Sequence, residues 1–175
     1  MRLLDAGDHA PSLRAVARAA GVSAMAPYRH FPDKTALLGA VAAEGFAMLH
    51  GRLVVADAQG NAIAPEQALV EQGLAYVAFA RAHPALFRLM FTDAIATAAH
   101  VSPDRAVEGD AYGILAARVA TLCPDTAATA TMAAWALVHG FATLALDRRL
   151  PPDPEAARAA LALFVAGLTK KGPEA

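Results

Sequence analysis

Apolar residues recur along this chain at spacings of three and four rather than two, so nearly every segment reads as amphipathic helix. Ala and Leu dominate and β-branched runs are short, which suits helix and requires no strand. The predicted fold class is all-α. Ser12 precedes the apolar run Leu13, Val16, Ala17 and Ala20, and Gly21 closes it, giving a helix of roughly two turns. Ser23 caps a second short helix that ends at Phe31-Pro32, because the residue before proline is pushed out of helical geometry. Asp33 then caps a long helix carrying Leu37, Leu38, Val41, Phe46, Leu49 and Leu53.

Between Asp57 and Pro65 the run Gln59-Gly60-Asn61 interrupts the pattern, and a domain boundary is expected there. Pro65 suits the first turn of the next helix, which runs to His83-Pro84 and is followed by a short helix with Leu86, Phe87, Met90 and Phe91. Ser102-Pro103 opens a helix reaching about Leu122. Asp125 and Asp153-Pro154 open the last two, separated by Leu150-Pro151-Pro152. The expected organisation is an N-terminal module of residues 1–50, a helical body of residues 51–170 and a tail of residues 171–175.

Composition narrows the class. Hydrophobic residues make up 57% and charged residues 18%, enough burial to exclude a disordered chain. A formal net charge of -1 carries no global signature of a polyanion binder, so any nucleic-acid contact must come from local charge placement. Cys123 has no partner for a disulfide or a zinc site, which points to a reducing cytosol and to a small buried hydrophobe. Arg2, Asp5 and Asp8 break any secretory apolar stretch. Thr126 to Leu146 holds no charged residue and has the length of a membrane span, but its many Ala and Thr residues weaken insertion, so it reads as a buried helix.

Two short helices joined by Gly21-Val22-Ser23 have the spacing of a helix-turn-helix, whose second helix enters a major groove. Glycine takes the left-handed turn at no steric cost, and Val22 is expected to pack beneath it. The continuation Pro27-Tyr28-Arg29-His30-Phe31-Pro32-Asp33-Lys34, followed by Leu37-Leu38, closely resembles the DNA-binding module of the TetR family over about residues 12 to 50. Downstream, His83-Pro84, Leu86-Phe87, Leu89-Met90-Phe91, Trp135 and His139-Gly140 resemble the C-terminal domain of the TetR subgroup called WHG.

The resemblance implies a ligand-responsive transcriptional repressor: a cytoplasmic homodimer that binds a double-stranded DNA operator, answers to a small hydrophobic effector, and uses no cofactor, metal or membrane. It implies that Tyr28 and His30 meet phosphate oxygens, with Ser12 and Lys34 at helix starts beside the DNA backbone. Arg14 and Arg29 are the candidates for base edges and sequence discrimination, while Ala24, Met25 and Ala26 lead the recognition helix toward thymine methyls. Arg18 reads as a solvated helix face, and Leu13, Val16, Phe31, Leu37 and Leu38 as a small core. Family members usually carry a longer first helix, of which only Met1 to Gly7 remains, so a start further upstream is expected.

In the body, Tyr76, Phe79, Phe87, Met90, Phe91, Tyr112, Trp135 and His139, with Asp93, are the candidate ligand contacts; aromatic and methionine side chains at helical spacing serve equally as core. The helix after Asp125 is apolar on two faces, Met132, Trp135 and His139 on one and Ala134, Leu137, Val138 and Phe141 on the other. Ala157, Leu161, Phe164, Val165 and Leu168 repeat the stripe on the last helix, and covering all of it calls for a second subunit. The alternative is a helical dimeric adapter or small-molecule-binding protein that has lost DNA binding. An enzyme is not expected: three serines lie in no G-x-S-x-G elbow, and no P-loop, G-x-G-x-x-G or H-E-x-x-H occurs.

Overall fold

The computed structural model describes residues 13–92, 111–150 and 153–169. Ser12, Asp93, Met1 to Gly7, the Ser102-Pro103 helix start, Pro151-Pro152 and the tail lie outside the described residues. Helices follow in the order α1 (Leu13–Ala19), α2 (Lys34–Asn61), α3 (Pro65–Ala82), α4 (Pro84–Met90), α5 (Ala111–Leu122), α6 (Ala127–Leu146) and α7 (Pro154–Thr169). Short 3-10 turns lie at Pro27–Arg29 and Pro124–Thr126. No strand occurs among the described residues, and the all-α class holds.

Local chemistry places most boundaries. Gly21 has φ +68°, the left-handed conformation the turn requires. Its N–H donates to Arg18 O at 3.1 Å and the next N–H, of Val22, to Ala17 O at 3.0 Å, the paired closure that ends a helix on glycine. Val22, however, is 49% exposed and does not pack beneath the turn. Asp33 caps α2 as predicted, its Oδ1 accepting from the Ala36 N–H at 2.8 Å. Asp153 does the same for α7 through the Glu155 N–H at 2.9 Å. Pro65 and Pro84 open α3 and α4, where a missing N–H costs nothing.

Two boundaries differ from the sequence pattern. Helix α2 runs through Gln59-Gly60-Asn61 without a break. Gly60 is needed for approach rather than for a turn, since a Cβ there would lie 2.5 Å from Ala68 Cα. Asp125 falls inside the 3-10 turn Pro124–Thr126, and α6 starts only at Ala127 with no side-chain cap. Cys123 is half-buried rather than buried, its thiol lying 3.5 Å from Val119 O.

By contact the chain divides into two compact units, Met1–Ala47 with His83–Ala106, and Met48–Ala82 with Val107–Ala175. The first therefore includes α4, a segment the sequence pattern gives to the body. Its Leu86 and Met90 occupy the space above Gly45 of α2, where a Cβ would meet Met90 Sδ at 2.7 Å. Phe91 stacks edge-on against Phe46 at 5.6 Å and lies 4.9 Å from Phe87. Ala17, Pro27, Leu37 and Ala42 are buried, whereas Val16, Phe31 and Leu38 of the expected small core are half-buried.

In the second unit α3 is the central helix, packed against α5, α6 and α7. A Cβ on Gly73 would lie 2.9 Å from both Leu161 methyls and 3.3 Å from Val138, so α3 meets α6 and α7 closely at this point. Phe79, Leu49 and Val119 are fully buried, each contributing roughly 1.5–3 kcal/mol of transfer free energy. Helix α6 buries Ala130, Thr131, Ala134, Val138 and Ala142, with the Thr131 hydroxyl donating to Ala127 O at 2.7 Å. Helix α7 buries Leu161 and Val165. The other faces of both stay open, so α6 is half covered rather than a fully buried helix: Met132, Trp135 and Leu144 are exposed, and Leu163 is 77% exposed.

Candidate functional site

The first unit carries the candidate DNA contacts. Arg14 projects from α1 into solvent, and Ala24 and Met25 lie exposed after the Gly21 turn, Met25 at 67%. Tyr28, Arg29 and His30 follow in order and are all exposed, while Ala26 and Lys34 are half-buried. The segment that carries them is not the α-helix the pattern predicts. It is a turn followed by a single 3-10 turn, closed by Ala26 N–H to Ser23 O at 3.0 Å and His30 N–H to Pro27 O at 3.0 Å. The physical cause is Pro27: it has no N–H to return to Ser23 O, and its ring is buried in the unit. The segment thus keeps its anchoring at the proline and presents its polar side chains outward.

The second unit carries a polar and aromatic line across α3, α5 and α6. Tyr76 Oη lies 3.0 Å from His139 Nδ1, with the two rings 6.3 Å apart. Trp135 stands edge-on to Tyr112 at 5.7 Å and lies 6.2 Å from the His139 ring. Burial pushes the Tyr76 phenol up and the His139 imidazole down, so both are neutral near pH 7. Phe79 is fully buried, with the Arg52 guanidinium 5.6 Å from its ring centroid. Of the sequence-predicted ligand contacts, Tyr76, Phe79, Tyr112, Trp135 and His139 therefore fall in one unit, and Tyr76, Tyr112, Trp135 and His139 form a connected group. Phe87, Met90 and Phe91 fall in the other unit, packed with α2 as described.

A hollow of about 500 Å³ in the second unit is bounded by Leu74, Ala78 and Arg81 of α3, Phe141 of α6 and Arg158 of α7. None of the described ligand candidates lines it. Its edge holds the ion pair between Arg158 and Glu71 at 2.6 Å, which draws the Glu71 carboxyl below its ordinary value.

Sequence reasoning missed a half-buried polar network. Arg118 of α5 grips Asp57 of α2 with two nitrogens, each at 2.8 Å, and donates to Asn61 Oδ1 at 2.9 Å. Gln72 of α3 donates its Nε2 to Asp57 Oδ1 at 2.6 Å. The Arg118 bonds, with Gln72 adding, hold the Asp57 carboxyl below the ordinary aspartate range. These residues lie far apart in sequence. The one available signal was Gln72 itself, four residues before Tyr76 and three after Leu69 on the buried stripe of α3.

These shifts set a pH dependence. His139 binds its proton more weakly when folded, so stability is full above the ordinary histidine range and declines as pH falls through it. The Asp57 contribution is present above the ordinary aspartate range and is lost as pH falls through the lowered folded value. The expected acid profile therefore has two steps, one beginning below about pH 6.5 and one below about pH 4. Thermal melting across that range checks it: Asp57→Asn should shrink the lower step to the part that Glu71 contributes, and an unchanged profile would contradict the assignment.

Comparison with known proteins gives two family matches, the second of which runs through His83–Ala106 of the first unit as well as the second unit. The family described as "Bacterial regulatory proteins, tetR family" matches residues 3–41, and that described as "Tetracyclin repressor-like, C-terminal domain" matches residues 69–168. A solved protein of unknown function from Rhodococcus sp. RHA1 is 30% identical, covers 97% of this chain and 95% of its own, and superposes with a TM-score of 0.73. A bacterial regulatory protein in the tetR family from Rhodococcus RHA1 is 21% identical, covers 97% and 92%, and shares the fold at a TM-score of 0.62. No curated protein matches the chain.

Proposed function

Because the chain belongs to the TetR family of bacterial DNA-binding transcriptional regulators, we propose that it is an effector-gated repressor acting in the cytoplasm as a homodimer on a pseudo-palindromic operator. Regulators of this family generally bind DNA operators and effector ligands as dimers and are not enzymes. The observation that carries the reading is the Gly21 turn followed by consecutive exposed Tyr28, Arg29 and His30, anchored by the buried Pro27. Tyr28 and His30 supply hydrogen bonds to phosphate, and Lys34 adds charge at the start of α2. Arg14 and Arg29 are the base readers and Met25 an apolar contact to thymine. A small hydrophobic effector binds beside Tyr76, Trp135 and His139 and works by differential affinity for two arrangements of the dimer.

Dimerisation draws on the open faces of α6 and α7. Met132, Ala133, Ala136 and Leu144 on α6 and Ala159, Leu163 and Ala166 on α7 are exposed apolar residues. Gly140 and Gly167 have nothing within 4 Å of an added Cβ. Glycine inside a helix costs about 1 kcal/mol relative to alanine, and close approach of a second copy offsets that cost. Two helices from each copy then make a four-helix contact. Helices α2 and Pro124–Leu146 are also long and apolar enough to cross a membrane by length and composition. The family and the open faces of α6 favour a second copy of the chain as the cover.

The 3-10 recognition segment favours a second reading, a dimeric helical protein that binds small molecules without DNA. Fluorescence anisotropy on the DNA flanking the chain's own gene separates the two. The repressor should bind with a strong salt dependence, log K falling against log salt with a slope of about -6 for two heads of three or four phosphate contacts. Weak binding that ignores sequence would leave the second reading standing.

A further inference from the structure

The hollow walled by α3, α6 and α7 lies wholly within the second unit and shares no wall residue with the group of Tyr76, Trp135 and His139. Leu74 and Ala78 of α3, Phe141 and Ala145 of α6, and Leu150 beyond it give the hollow an apolar wall. All five are half-buried or exposed, so a guest would cover apolar surface that the protomer leaves wet. Its volume of about 500 Å³ falls within the range of about 300–1,000 Å³ usual for small-molecule sites. The charges around it are not equivalent. Glu71 Oε1 accepts from Arg158 and from Gln67, each at 2.6 Å. Asp153 Oδ1 accepts from the Glu155 N–H at 2.9 Å and is committed to the start of α7. Arg158 feels both Glu71, its bonded partner, and the carboxylate of Glu155. Arg81, in the last turn of α3, also lines the hollow, and no described residue forms an ion pair or hydrogen bond with its guanidinium. Of the charged groups in the wall, Arg81 is the one that no described counter-charge answers.

We propose that this hollow binds a linear amphipathic carboxylate, its head paired with Arg81 and its chain lying along Leu74, Phe141 and Leu150. The site is separate from the effector reading above and stands without it. A guanidinium presents parallel N–H donors that match a carboxylate two for two, which an alcohol or an ammonium head cannot reproduce. The chain displaces water from the apolar wall, which favours binding in proportion to the area covered. Because the walls come from α3, α6 and α7, a bound chain braces the central helix against both of its neighbours.

The test titrates the full chain by calorimetry with sodium octanoate, 1-octanol and octyltrimethylammonium. Octanoate should bind about tenfold more tightly than octanol, and more tightly still than the cation. Arg81→Gln, at an exposed position, should bring octanoate down to the affinity of octanol. Ala78→Trp fills the hollow from another exposed position and should weaken octanoate at least about tenfold. In the unaltered protein, nuclear Overhauser contacts should join the octanoate chain to the Phe141 ring, a readout that survives if a variant fails to fold. Equal affinity for octanoate and octanol would overturn the proposal, as would a preference that persists in Arg81→Gln or octanoate binding untouched by Ala78→Trp. Contacts to the Trp135 ring in place of Phe141 would also overturn it, and would favour the effector reading instead. Failure of octanoate to bind at millimolar concentration would remove this site and leave the effector reading intact.

Discussion

Alanine at Gly60 is expected to destabilise the protein by about 2 kcal/mol, while the same change at Gly51 on the same helix is expected to stabilise it by about 0.5–1 kcal/mol. Both glycines lie in α2 and both substitutions restore helix propensity. They differ in what the new methyl meets. At Gly51 nothing lies within 4 Å, whereas at Gly60 the methyl would sit 2.5 Å from Ala68 Cα, 2.7 Å from Ala68 N and 2.8 Å from Gln67 C. Those are backbone atoms of α3, which cannot rotate aside as a side chain can. Relieving the overlap separates α2 from α3 near Asp57 and Gln72, so the polar network loosens with the helices. Overpacking of this kind costs about 1–3 kcal/mol, and the gain in propensity offsets part of it. Urea denaturation midpoints for the two variants decide the matter. If Gly60→Ala is no worse than Gly51→Ala, the close approach of these helices is wrong.

The larger functional effect is expected from Leu163→Glu. Leu163 is 77% exposed in the protomer, so charge there should leave far-ultraviolet circular dichroism and the melting temperature nearly unchanged. In the proposed dimer the same residue lies among the small residues of α6 and α7, where an unpaired carboxylate is costly to desolvate. Sedimentation at micromolar concentration should show monomer, and operator affinity should fall at least about a hundredfold, because the second head no longer benefits from the first being bound. A variant that remains dimeric would place the dimer contact elsewhere. One that becomes monomeric yet binds the operator unchanged would contradict recognition by paired heads.

Legibility was uneven across the chain, for reasons that can be traced to individual residues. Gly21, Asp33, Pro65, Pro84 and Asp153 act through their own backbone or through neighbours within three residues, and each stands where the pattern put it. Pro27 shows where a local rule was available and outweighed by the apparent run of a helix: a missing N–H in the fourth position of a short segment is enough to leave only a 3-10 turn. Gly60 reads in sequence as an interruption, and only the proximity of α3 reveals it as a contact. Met132, Trp135 and Leu163 were legible as apolar, but which of them the protomer covers depends on where α6 and α7 lie relative to α3.

Helix content, most helix ends, the turn at Gly21 and the family were determined by the order of residues alone, because capping, proline geometry and apolar periodicity act over one to four positions. The pairing of Asp57 with Arg118 and Gln72, the line from Tyr112 through Trp135 to His139 and Tyr76, and the open faces of α6 and α7 were decided only by the packing of distant helices. A side chain's partner depends on the distance and angle between elements, and that information is not carried by the spacing of residues within any one of them.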